Sequence, residues 1–216
     1  MKYKAVIFDF NGTLFWDTAY HNQAWDIFLQ KHKISLSDEE KAVKIHGKTN
    51  SDILKSIFSI NISPEKIQYL SIEKERIYQD ICLREKMEYA PGVIDFFNFL
   101  KSNQILFAVA TSSGLENIEF YLKYMDLGKW APKDQIIFEN GSFPGKPKPD
   151  IFLLAMDKLG VHSKEVIIFE DSPTGIMAAE NANAGKIIIV NSTARDYSYL
   201  PYLVIYSFDE VDRSLF

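Results

Sequence analysis

The stretch Val6–Phe15, VIFDFNGTLF, decides the fold. Its apolar run, counted from Ala5 to Phe8, is continuous rather than alternating, and it breaks at Asp9. Continuous runs suit strands buried on both faces, as in a parallel sheet. Three more such runs follow, at Ile105–Ala110, Val166–Phe169 and Ile187–Val190, with a weaker edge candidate at Leu203–Tyr206. Helical patterns lie between them at Ile94–Leu100, Leu115–Tyr124 and Asp150–Leu159. Another runs from Pro173, after Ser172, to a stop expected at Gly185. This alternation predicts an α/β fold, a doubly wound, Rossmann-like parallel sheet.

Residues 17–88 depart from that rhythm and contain no convincing strand. Ile67, Leu70, Lys74, Ile77 and Ile81 form one stripe of an amphipathic helix, with only Lys74 polar. Ser63-Pro64 supplies its cap and first turn. Shorter helices are expected at Thr18–His32, Asp38–Ile45 and Asn50–Phe58. The expected organisation is a core of residues 1–16 plus 89–216 with an all-helical insertion at 17–88.

The chain has 216 residues, 47% hydrophobic and 25% charged, enough for a core without disulfide or metal staples. A single cysteine, Cys82, forms no internal disulfide and fits a reducing, cytoplasmic setting. Met1-Lys2-Tyr3-Lys4 leads into an apolar run too short for a secretion signal, and no stretch reaches membrane-spanning length. With a net charge of −5 and no basic block, nucleic acid and membrane are poor partners. The expected partner is a small molecule, and the expected state a monomer or weak dimer.

Polar residues collect where the strands end: Asp9-Phe10-Asn11-Gly12-Thr13, Thr111-Ser112-Ser113-Gly114 and Glu170-Asp171-Ser172. In doubly wound sheets, ligands bind beyond the carboxyl ends of the strands. A stiff loop, Gly145-Lys146-Pro147-Lys148-Pro149, precedes the third long strand and directs a lysine. Three acids in one crevice need a counter-charge, which a hard cation such as Mg²⁺ supplies. Hydroxyls, helix-start N–H groups and a lysine are what a phosphate needs. The pattern points to phosphoryl chemistry, with Asp9 before its glycine turn as the best nucleophile.

These motifs, in this order, resemble the haloacid dehalogenase superfamily in its phosphatase and β-phosphoglucomutase-like branch. The flanks PGV at 91–93, GKPKPDIF at 145–152 and EDSPTG at 170–175 carry the same resemblance. It implies that the helical insertion is a cap. It implies that Asp9 attacks phosphorus and forms a phosphoaspartate. Asp9, the backbone carbonyl of Asn11 and Asp171 would bind Mg²⁺, with Glu170 joining them directly or through water. Thr111 and the Ser112 N–H would hold phosphate oxygens, and Lys146 would balance charge. The family usually has an aspartate at position 11, acting as general acid and base, a role worth roughly 10²–10⁴-fold. Asn11 cannot carry that proton.

Four accounts of Asn11 are open: a substrate whose leaving group needs no proton, another proton donor, deamidation at Asn11-Gly12, or an engineered substitution. In the cap, the loop His46-Gly47-Lys48-Thr49-Asn50 and His21 are the expected substrate contacts. The mutase has an arginine where Asn50 stands, which counts against a second-phosphate site. A mutase-like phosphotransferase, a phosphonatase-like hydrolase and a catalytically impaired binding protein are the alternatives to a phosphohydrolase.

Overall fold

In chain order, the computed structural model runs β1 (Ala5–Phe8), α1 (Thr18–Lys31), α2 (Asp38–Lys44), α3 (Asn50–Ile57), α4 (Pro64–Arg84), α5 (Val93–Ser102), β2 (Leu106–Thr111), α6 (Leu115–Tyr124), α7 (Leu127–Trp130), β3 (Ile136–Phe138), α8 (Asp150–Leu159), β4 (Val166–Glu170), α9 (Pro173–Asn181), β5 (Lys186–Val190) and β6 (Leu203–Ile205). It describes residues 3–45 and 48–216, so His46 and Gly47 of the expected cap loop lie outside the described residues.

The strands form one sheet in the order β3-β2-β1-β4-β5-β6, with every neighbouring pair parallel. The strand alternation sorts side chains onto two faces. Val6, Phe8, Val109, Ile167 and Phe169 face α5 and α6 in a core rich in phenylalanine. There Phe8 meets Phe97 edge-on at 5.5 Å and stacks on Phe169 at 5.3 Å. Ala5, Ile7, Ala108, Ala110 and Ile168 face α8 and α9, where alanines let the helices approach closely. Burying each large side chain contributes roughly 1.5–3 kcal/mol, which makes β1 the anchor of the molecule.

Four helices, α1–α4, intervene between β1 and α5 and carry their own apolar cluster around Trp25, Phe28, Ile53, Leu54 and Leu70. Ser63 accepts from the Lys66 N–H to start α4, and Thr49 accepts from the Asp52 N–H to start α3. The chain leaves and re-enters the sheet side by side. Phe15 and Tyr89 form an isolated bridge, and the Ala90 N–H donates to the Leu14 carbonyl at 2.8 Å.

Two elements were not expected. β3 is only Ile136–Phe138, too short to give a periodic signal. α7 is a four-residue turn. α9 stops at Asn181, short of Gly185, because Asn183 takes the left-handed conformation at φ 59°. β2 extends one residue past its apolar run, so Thr111 is its last residue.

Candidate active site

Parallel strands deliver their carboxyl ends to one edge. Asp9 follows β1, and its N–H donates to the Phe169 carbonyl, which prolongs the ladder and fixes the carboxylate's origin. Thr111 ends β2, Glu170 ends β4, and Asp171 comes next. Oxygens of Asp9, Glu170 and Asp171 lie within 4.8 Å of one another. Lys146, nine-tenths buried, donates to Asp9 Oδ1 at 2.6 Å and to Glu170 Oε1.

Two glycines permit this convergence. Gly12 has φ +79°, and a Cβ there would stand 2.1 Å from Asp171 Oδ2. A Cβ on Gly175, in the first turn of α9, would stand 1.7 Å from Glu170 Oε1. Glu170 is fully buried, and both its oxygens accept hydrogen bonds. Oε1 takes Lys146, and Oε2 accepts from the N–H groups of Asp171 and Ser172 and the Ser172 hydroxyl.

Three carboxylates therefore face one ammonium. Burial raises the Asp9 carboxyl to about 7; Lys146 opposes that rise and Glu170 adds to it. Burial, then Glu170 and Asp9, push Asp171 well above the usual carboxylate range. Lys146 is raised despite its burial, because Asp9 and Glu170 hold its charge. The surplus of negative charge on hard oxygen donors fits a divalent cation. Asp9, Glu170 and Asp171 each turn a carboxylate oxygen toward such an ion, with Glu170 Oε1 shared with Lys146.

These residues open onto a cavity of about 470 Å³, together with Asn11, Ser112 and Ser113 from the sheet edge and His21, Lys48, Asn50, Lys74 and Glu75 from the helical segment. A volume of this size suits a small molecule.

Asn11 is held on every side. Its Nδ2 donates to Asp17 Oδ2 at 2.6 Å and to the Tyr121 hydroxyl at 2.8 Å. Its Oδ1 accepts from the Ser113 hydroxyl at 2.8 Å and the Thr111 hydroxyl at 3.2 Å. Asp17 is fully buried and also accepts from the Gly12 N–H and the Tyr78 hydroxyl, with His21 Nε2 at 3.3 Å. Burial, then the Asp17 charge, raises the Tyr78 and Tyr121 phenols far above their ordinary value, so both remain hydrogen-bond donors.

His21 connects this network to α4. Its ring stacks on Tyr78 at 3.9 Å, and Lys74 Nζ donates to its Nδ1 at 2.8 Å. Lys74 is 1% exposed and also donates to Glu75 Oε1 at 3.0 Å. Glu75 further accepts from Asn50 Nδ2 at 2.6 Å and, across to α6, from Asn117 Nδ2 at 2.8 Å. Burial opposes the Glu75 charge, but Lys74, His21, Asn50 and Asn117 together bring its carboxyl below the usual range.

Of the residues singled out from sequence, Asp9, Asn11, Thr111, Ser112, Lys146, Asp171, His21, Lys48 and Asn50 line the cavity, and Glu170 backs it through Lys146. Asn50 has its amide directed onto Glu75. Sequence reasoning missed Asp17, Glu75, Tyr78, Asn117 and Tyr121. It noticed Lys74 only as the polar break in an apolar stripe. A lysine on a buried helix face is itself a signal, since such a charge must find a partner.

The family model for haloacid dehalogenase-like hydrolases matches residues 3–183, and the chain belongs to that family. It is a hydrolase of phosphatase type. Among curated relatives, it is 29% identical over 196 residues to the Phosphorylated carbohydrates phosphatase of Thermotoga maritima, covering 89% of this chain and 88% of that protein. It is 28% identical over 194 residues to Hexitol phosphatase A of Escherichia coli, covering 90% and 86%. Among solved structures, a HAD hydrolase of family IA, variant 3, from Entamoeba histolytica superposes with a TM-score of 0.87 at 34% identity, covering 98% and 96%. Among the described residues, no helix is long and apolar enough to cross a membrane.

Proposed function

We propose that the chain is a Mg²⁺-dependent phosphohydrolase acting on a small phosphorylated metabolite through a phosphoaspartate on Asp9. The observation that carries this is Lys146 Nζ, set between Asp9 Oδ1 and Glu170 Oε1, with Asp171 beside them and Thr111 on the adjacent strand. Asp9 Oδ attacks phosphorus in line with the leaving oxygen. Lys146, the Thr111 hydroxyl and the Ser112 N–H stabilise charge on the equatorial oxygens. Asp9, Asp171 and the backbone carbonyl of Asn11, with Glu170 directly or through water, would hold Mg²⁺, which when bound would neutralise the phosphoryl oxygens and the surplus acid charge. Helices α1–α4, residues 17–88, act as a cap that excludes water, moving about the paired crossings at Phe15 and Tyr89. Phosphorylated sugars are the first substrates to test, because the relatives from Thermotoga maritima and Escherichia coli are named as phosphatases of carbohydrates and hexitols.

Asn11 divides the reaction. Attack by Asp9 keeps all its parts, while proton transfer to the leaving oxygen and activation of water lack the usual carboxyl. Turnover is therefore fastest on acyl and aryl phosphates, whose leaving groups need no proton. The mutase reading is weaker, because Asn50 is committed to Glu75. The test is a panel of phosphate esters with Mg²⁺, with chelator, and with Asp9→Asn. Hydrolysis that survives Asp9→Asn contradicts the proposal.

A further inference from the structure

We infer that the Lys74–Glu75 pair is the specificity site for the substrate's leaving moiety, and that it selects a polyhydroxylated monophosphate over a bisphosphate. This rests on the reading above, in which the transferring phosphoryl group sits at Asp9, Thr111 and Lys146. The opposite wall of the cavity is built by α4 and α1. There Lys74 and Glu75 stand 3.0 Å apart, 1% and 9% exposed. A buried charge pair on a cavity wall needs both good geometry and further hydrogen bonds. Glu75 has them in Lys74, Asn50 and Asn117. Three donors fix the carboxylate while its two oxygens keep acceptor capacity. Lys74 spends two of its three N–H donors, on Glu75 and His21, and lies 5.3 Å from the Trp25 ring centroid.

A hydroxyl group is both donor and acceptor, so adjacent sugar or polyol hydroxyls match a fixed carboxylate beside a fixed ammonium. The Trp25 indole, also on the cavity wall, offers an apolar surface to the carbon chain. A second phosphate is acceptor only. At this wall it would meet the Glu75 carboxylate and an ammonium whose charge Glu75 already balances. Lys48 and Arg195 also line the cavity, but both are exposed at its rim, where solvent screens them.

The test measures binding and turnover separately. Binding of mannitol monophosphate, phenyl phosphate and fructose bisphosphate is titrated calorimetrically with Mg²⁺, in an Asp9→Asn background that prevents consumption. Mannitol monophosphate is expected to bind about tenfold or more tighter than the other two, the value of one hydrogen bond to a charged group. Glu75→Gln is expected to weaken the monophosphate by about 10–100-fold and to strengthen the bisphosphate, since Lys74 then carries net charge. Lys74→Met with Glu75→Gln keeps the wall neutral; it loses the monophosphate preference and gains no bisphosphate preference. Melting temperatures confirm that each variant is folded.

Equal weakening of all three ligands by Glu75→Gln overturns the inference. So does a bisphosphate that binds tightest to the Asp9→Asn protein and is lost on Arg195→Gln. Turnover reports on the hydrolase reading instead. The binding pattern without hydrolysis of any ester by the unsubstituted chain sinks that reading and leaves the specificity site standing. Hydrolysis without the binding pattern does the reverse.

Discussion

Replacing Asn11 by aspartate changes one group in a saturated network. Asn11 Nδ2 lies 2.6 Å from Asp17 Oδ2. In Asn11→Asp an oxygen takes that place, and two carboxylates at hydrogen-bond distance must share a proton. The amide now mimics the protonated member of such a pair, without a proton it can give up. The variant should therefore acquire a carboxylic acid beside the leaving oxygen, with its proton retained by Asp17. General acid–base catalysis is worth roughly 10²–10⁴-fold, or about 3–5 kcal/mol of barrier. The expected gain in kcat/KM is of that order on sugar phosphates and much smaller on aryl phosphates.

The same pair sets the sign of a stability effect. An acid whose pKa is raised by folding is favoured in its protonated form. The variant is then closest to the unsubstituted chain in stability below about pH 4, where unfolded carboxyls are also protonated. It loses ground as pH rises toward the folded-state pKa, by about 1.4 kcal/mol for every tenfold drop in proton concentration between the two values. Steady-state kinetics on both substrate classes and melting curves from acid to neutral pH measure the two effects. A variant no faster than the unsubstituted chain on sugar phosphates, or faster by the same factor on aryl phosphates, refutes the missing-acid account.

Other outcomes follow from the acid cluster. Asp9, raised to about 7, and Asp171, also raised by burial, lose relative stability as pH climbs above the unfolded carboxyl range of about 4. Mg²⁺ competes with those protons, so the rise in melting temperature on adding Mg²⁺ should be larger at pH 8 than at pH 5; an equal rise at both argues against these ligands. Asp171→Asn should weaken Mg²⁺ binding by at least about tenfold in calorimetric titration, and unchanged affinity would remove Asp171 from the site. Gly12→Ala should destabilise by about 1–3 kcal/mol in urea unfolding and abolish turnover, because its Cβ would meet Asp171 Oδ2 at a residue already at φ +79°.

What the sequence made legible depended on the range of each interaction. β1, β4 and β5 announce themselves because each is buried on both faces and so uninterrupted in apolar residues. Leu115–Tyr124 and Asp150–Leu159 read to the residue, since a one-sided apolar stripe marks each. β3 stayed hidden because three residues carry no period. Asp9, Thr111 and Asp171 were legible because strand ends share an edge, and Lys146 because two prolines stiffen the loop that carries it. His21 was read as a cap contact, but its partners and the wall of Asp17, Lys74, Glu75 and Asn117 were not, because the contacts that bring α4 to α1 and α6 join residues far apart in the chain. Lys74 meets His21 from 53 positions away, and Glu75 meets Asn117 from 42. Only the tertiary placement of α4 between α1 and α6 makes those partners neighbours.

The central claim is the covalent bond to Asp9. The most direct measurement is acid-quench mass spectrometry of the chain mixed with Mg²⁺ and acetyl phosphate, followed by peptide mapping. The account predicts one added phosphoryl group on the peptide carrying Asp9, absent in Asp9→Asn. It also predicts that the adduct persists longer than in Asn11→Asp, whose restored base activates water. Phosphate release with no adduct at any quench time, or an adduct on another residue that survives Asp9→Asn, would contradict it.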